Sequence, residues 1–154
     1  MKAEFVNAFL DPALNIWKKE LGTDLAFDHA EGANGGAFTT EDMTAIIGVT
    51  GQLKGNVFYE FTQETALSVA SAMCGEEFAE MNELALSALG ELANMITGNA
   101  TIALSTADYV CDISPPVILA RGASVTVVDP QIRAYFNSPL GEMSIRVGLS
   151  EAKD

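Results

Sequence analysis

Apolar positions near the start of the chain recur at helical spacing: Phe5, Val6, Phe9, Leu10, Leu14 and Trp17. They predict an amphipathic helix over residues 3–21, with Gly22 as its stop. Pro12 lies inside that run, cannot donate a backbone hydrogen bond, and is expected to kink or divide the helix. Residues 25–29 read as a short strand that includes the one histidine, His29, and the glycine-rich stretch 32–36 as a mobile loop. That loop lacks the Lys and Ser/Thr of a phosphate-binding loop. Residues 43–50 and 53–61 form a strand pair joined around Thr50-Gly51-Gln52, in which Val57, Tyr59 and Phe61 alternate with Phe58 and Glu60.

Thr62 is placed to cap a second helix that runs to about Met73 and closes at Cys74-Gly75. An acidic connection, 76–82, leads into a long helix from about Glu83 to Ser105. Strands are expected over 110–113, 124–128, 131–137 and 142–149. Ser114-Pro115-Pro116 ends the first of these, because proline cannot donate to a ladder. The connections are too short for crossovers, so the pairing is antiparallel.

The long helix separates two faces. At about 100° per residue, Ala85, Leu89, Leu92, Ile96 and Ala103 gather on one side. Ser87, Glu91, Asn94, Gly98 and Ser105 gather on the other, flanked by Met95 and Ile102. Glu91 and Asn94 stand three apart and are surface neighbours. A carboxylate can hold a cation and a carboxamide can orient a water. Gly98 costs about 1 kcal/mol relative to Ala inside a helix. On an exposed stripe it admits the close approach of another backbone. Glu4-Phe5-Val6-Asn7 echoes Glu91-Leu92-Ala93-Asn94, a short internal repeat that suggests two related halves.

Composition narrows the field. A chain of 154 residues with 49% hydrophobic residues can bury one sizeable core. A net charge of −13 disfavours duplex nucleic acid and anionic lipid as partners. No run of about 20 apolar residues suggests a membrane span, and no signal-peptide pattern opens the chain, so a cytoplasmic location is expected. Cys74 and Cys111 read as reduced core thiols. With a single histidine, no metal site of its own is expected.

The spacing Ser87, Glu91, Asn94, Asn99 resembles the signature of the CheC/CheX/FliY family of chemotaxis phosphatases, most closely its CheX branch. Val6-Asn7-Ala8, Ile47-Gly48-Val49-Thr50-Gly51, Glu64-Thr65-Ala66-Leu67, Glu83-Leu84-Ala85-Leu86-Ser87-Ala88 and Asp112-Ile113-Ser114-Pro115-Pro116 share the resemblance, in order, over most of the chain. It implies a single domain over 1–154 in the α/β class, of α+β type: two pseudo-symmetric halves with long helices on a mostly antiparallel sheet. It implies a phosphatase acting on the aspartyl phosphate of a CheY-type receiver, with Mg²⁺ on the receiver and no cofactor of the chain's own. A homodimer through strand edges is part of the same expectation.

By the resemblance, Asn94 orients the attacking water and Glu91 pairs with the receiver lysine. Ser87 either stabilises the helix start or touches the partner, and Asn99, nearer the core on the wheel, takes a structural hydrogen bond. Met95, Gly98 and Ile102 belong to the docking surface. Glu4 and Asn7 are a second or a vestigial motif, with Pro12 where the first motif has Asn99. Val125, Val127 and Ile145 lie either on an exposed edge or on a buried sheet face. A receiver-binding module without hydrolysis, and a dimeric scaffold, are the competing functions.

Overall fold

The computed structural model describes residues 1–152, so the expected domain bounds reach two residues beyond the described ones, to Lys153 and Asp154. Three helices, α1 (Ala3–Leu21), α2 (Gln63–Cys74) and α3 (Glu83–Thr106), pack on one sheet. The strands are β1 (Ala26–Ala33), β2 (Gly36–Thr39), β3 (Met43–Gly51), β4 (Leu53–Phe61), β5 (Cys111–Ile113), β6 (Val117–Ala120), β7 (Ser124–Val127), β8 (Gln131–Asn137) and β9 (Met143–Glu151). The main sheet runs β1-β8-β9-β4-β3, with β5 and β6 following each other along the far edge of β3. Every pair is antiparallel.

This order contains a pseudo-two-fold. The hairpins β3–β4 and β8–β9 meet at the centre, where Val57 opposes Val147. Each half then gives its first strand to the other half's hairpin: β1 joins β8, and β5/β6 join β3. The second strands, β2 and β7, pair with each other in a separate ribbon. The short repeat between Glu4 and Glu91 therefore marks equivalent helices, α1 and α3, of two interlocked halves.

The helices cover one sheet face. Trp17, Phe9, Ile47, Leu53, Val57, Tyr59, Leu92 and Ile96 are buried there, and Ile145 lies on this face rather than at an edge. Burial of each large side chain contributes about 1.5–3 kcal/mol. This explains why α1 continues through Pro12. The proline forfeits a single backbone bond, whereas Phe9, Ala13 and Trp17 hold both sides of it in the core. Gly22 ends the helix in the left-handed conformation, its N–H donating to the Lys18 carbonyl.

The opposite face differs from a solvated one. Phe58 and Glu60 are as buried as their core-facing neighbours. Phe38 of the β2–β7 ribbon stacks edge-on against Phe58 and lies over the Arg146 guanidinium. Glu60 accepts from Arg146 and from Ser144 and pairs with Arg133 Nε at 3.0 Å.

Several expectations are corrected here. The 25–29 strand extends to Ala33, and the glycine stretch is no loop beyond Asn34 and Gly35, because β8 supplies a ladder that does not depend on side chains. A Cβ on Gly35 would meet the Val128 carbonyl oxygen at 2.3 Å, so this glycine serves a close backbone approach. β6 was not anticipated; the Ser114-Pro115-Pro116 break divides one edge into two short strands, and the hydroxyl and N–H of Ser114 bond Gly48 across it. Val125 and Val127 are half-buried in the ribbon. His29 lies exposed on β1 and stacks on Tyr135. Cys74 and Cys111 are free, but half-buried rather than core.

Candidate active site

The stripe stands on α3, which begins at Asn82, whose side-chain oxygen accepts from the Ala85 N–H at 3.0 Å. The helix packs against α1 and α2 and onto β3, β5 and β6. Its inner side is anchored by Ala85, Leu89, Leu92, Ile96, Ala100 and Leu104. Ala103, expected among these, is exposed, and Leu104 takes the buried position one residue on. The alanines Ala85 and Ala88 meet Ala70 of α2, which brings the two helices close.

One polar contact fixes α3 to the sheet beneath the stripe. Thr97 is fully buried and its hydroxyl donates to the Ala93 carbonyl at 2.7 Å. The Tyr59 hydroxyl lies 2.6 Å from the same oxygen and is therefore the donor to it. Burial raises the Tyr59 pKa well above the ordinary phenol range, so the phenol stays protonated as that donor. Thr97→Val is expected to cost about 1–3 kcal/mol, because it strands a buried hydroxyl. Tyr59→Phe should cost less, about 1 kcal/mol, since Thr97 keeps its helix bond. Urea unfolding of the two variants measures the order. This contact was not read from the sequence, where a threonine in mid-helix carries no distinguishing pattern.

Outward from Thr97 lie the expected residues. Glu91 is exposed and makes no ion pair among the described residues. Asn94 is half-buried, not exposed as its wheel position suggested, and this limits the orientations of its amide. The two Cα atoms are separated by about 4.5 Å of helix rise, which puts both side chains at one spot. Ser87 is exposed, and the helix-start role belongs to Asn82. Met95 and Gly98 are half-buried and Ile102 is exposed. Asn99 is exposed rather than near the core, and its amide donates to the Met95 carbonyl at 2.9 Å, a structural bond within the helix.

Beside Glu91 a groove opens, lined by Glu83, Leu86, Ser87, Gly90, Pro116 and Ile118. Gly90 allows it: a Cβ there would meet Pro116 Cγ at 3.2 Å. Gly98 is the opposite case, with no atom within 4 Å of the place its Cβ would occupy. The fold does not need glycine there. Gly98→Ala is thus expected to stabilise the protein by about 0.5–1 kcal/mol. Thermal or urea unfolding checks it.

Glu4 and Asn7 are exposed on the first turns of α1, on their own helix and apart from the groove. Lys2 precedes them as an N-cap without a side-chain cap bond. Among the described residues no group of three or more His, Cys, Asp or Glu side chains is placed to hold a metal ion. Among the described residues no helix is long and apolar enough to cross a membrane.

The family model described as chemotaxis phosphatase CheX matches residues 43–138, a span that holds all of α3 and both central hairpins except β9. The chain belongs to the CheX family. It is 43% identical over 79 residues to the CheY-P phosphatase CheX of Thermotoga maritima, and that stretch covers 51% of each chain. The match thus spans about half the length of the curated relative. The chemotaxis protein CheX of Vibrio vulnificus superposes with a TM-score of 0.85 at 27% identity, over 96% of this chain and 100% of that one. The CheX of a CheX–CheY–BeF₃–Mg²⁺ complex from Borrelia burgdorferi has the same fold, with a TM-score of 0.71 at 22% identity over 96% and 98% of the two chains. The interlocked halves described above are therefore the fold of CheX proteins.

Proposed function

We propose that this CheX-family chain hydrolyses the aspartyl phosphate of a CheY-type receiver, with α3 as the working surface. The observation that carries the reading is the placement of Glu91 and Asn94 side by side on the outer face of a helix whose inner face is fully anchored. The Thermotoga maritima relative is named a CheY-P phosphatase, and the Borrelia burgdorferi relative is in complex with CheY, beryllofluoride and Mg²⁺. Both support the reading.

Phosphoryl transfer asks the protein for position and charge more than for covalent chemistry. The receiver brings the phosphoaspartate, Mg²⁺ and a lysine; Mg²⁺ belongs to the receiver. Asn94 supplies an amide that holds a water in line with phosphorus. The water oxygen bonds to phosphorus, the bond from phosphorus to the aspartyl oxygen breaks, and the water's proton leaves with phosphate or to solvent. An amide does not titrate, so no general base is required of this chain. Glu91 pairs with the receiver lysine and sets the register. Ser87, Met95, Gly98 and Ile102 line the contact. Glu4 and Asn7 are a remnant of the same motif on α1. Homodimerisation uses an exposed sheet edge, for which β1, exposed along nearly its whole length, is the candidate. Equilibrium sedimentation at micromolar concentration tests this, and a monomer there contradicts it.

The assay is phosphate loss from an Asp-phosphorylated CheY-type receiver with Mg²⁺. Wild type is expected to accelerate it. Glu91→Ala should raise KM, by about tenfold, with a shallower salt dependence because a charge pair has been removed. An unchanged KM for Glu91→Ala, with the salt dependence of wild type, would overturn the assignment of this site.

A further inference from the structure

Two large exposed apolar side chains lie on α3: Leu84 is 52% exposed and Ile102 is 68% exposed. They are 18 residues apart, which is about five full helical turns, so both lie on one line along the helix. Glu91, Met95 and Gly98 fall close to that line, with Ser87 and Asn94 on its flank. Neither Leu84 nor Ile102 belongs to the core. The same helix carries no Lys or Arg, and from Asn94 to its end it carries no charge at all. A helix face solvated throughout ordinarily carries charged side chains opposite its apolar stripe.

We infer that Leu84 and Ile102 are the two apolar anchors of the docking surface, gripping the receiver on either side of Glu91 and Asn94. The inference rests on the function proposed above and adds how the partner is held. The anchors are separated by about 27 Å of helix, with the amide between them. An occupant that reaches Asn94 and both anchors at once must present a broad face. A compact domain of about 100 residues, with a radius of gyration of about 13 Å, matches that width, whereas a short loop does not. Charge argues the same way. Glu91 is the lone charge of the stripe and suits the receiver lysine, so the remaining grip must come from apolar contact. Gly98, open and without a side chain, lies between Asn94 and Ile102 and lets the partner's backbone descend onto the helix.

The experiment measures KM and kcat for Leu84→Ser and Ile102→Ser on the phosphorylated receiver, together with titration of the same receiver loaded with beryllofluoride and Mg²⁺. Ala103→Ser, exposed but off the line, is the control. Both Leu84→Ser and Ile102→Ser are expected to raise KM and the dissociation constant about tenfold, with the loss confined to binding, while the control matches wild type. Changes under about twofold for either variant overturn the two-anchor footprint, whatever Asn94→Ala does to kcat. So does a shift in oligomeric state on sedimentation, which would assign the face to a second copy of this chain. If wild type accelerates phosphate loss from no receiver, the proposed activity fails; the titration still decides the footprint, because it does not depend on turnover.

Discussion

Asn94→Ala is expected to lower kcat for phosphate loss by about 100-fold or more while leaving KM within about threefold. The split follows from where the residue lies. Its side chain is half-buried on an anchored helix, and in the proposed role its amide meets the incoming phosphoryl group. Removing it leaves docking through Glu91 intact but releases the water. Orientation of this kind gives its benefit in the transition state, which is why the loss should fall on kcat. The fold should be unaffected, because no hydrogen bond of the chain depends on that amide among the described residues. Asn7→Ala is expected to leave the rate unchanged. A rate that survives Asn94→Ala in part, and vanishes only when Asn7→Ala is added, would make the α1 motif a second working site.

The second large effect concerns stability, on the face of the sheet away from the helices. Glu60→Ala is expected to cost about 3–5 kcal/mol. The Glu60 carboxylate is 1% exposed and faces Arg146 at 3.3 Å and Arg133 at 3.0 Å. Without it, Arg146 lies under Phe38 with no carboxylate partner, and Arg133 keeps only Glu41 at 3.8 Å. Replacing Glu60 and Arg146 together with Leu and Met should cost less than the two single changes added, since the buried Arg146 charge goes with its partner and only the more exposed Arg133 loses one. Urea unfolding reads both. A Glu60→Ala cost below about 1 kcal/mol would show that water reaches this network and screens it.

The same two regions show what the amino-acid pattern reveals and what it hides. The α3 stripe is legible because 24 consecutive residues keep one period, from the Asn82 cap to Thr106. Periodicity placed Glu91 and Asn94 on a common face, and the family resemblance supplied their chemistry. Half-burial of Asn94 was not legible, since it depends on what surrounds the helix and not on the wheel. Ala103 and Leu104 changed roles for the same reason. The β4 alternation separates Val57, Tyr59 and Phe61 from Phe58 and Glu60, but alternation alone does not show that both sets are buried. The burial of Phe58 and Glu60 comes from the β2–β7 ribbon, whose strands are four residues each and far apart in the chain. Segments so short take their conformation from a partner, which is also why β6 and the glycine-rich end of β1 escaped the pattern. Helical spacing sets Leu84 on the same line as Glu91, and its exposure in the folded chain shows that the core does not claim it.

Gly98 bears on both stability and docking. Its open surroundings leave room for a Cβ, so nothing in the isolated fold requires glycine there. If the partner's backbone needs that space, Gly98→Ala should tighten the fold and weaken docking at once.

The most direct test of the central claim uses wild type in small molar deficit to an Asp-phosphorylated CheY-type receiver with Mg²⁺, following phosphate release. Each chain is expected to clear many receivers, at a rate proportional to the amount of protein added. Phosphate loss that is unchanged, or slowed in proportion to the receiver bound, would contradict the claim and make this CheX-family chain a binding module.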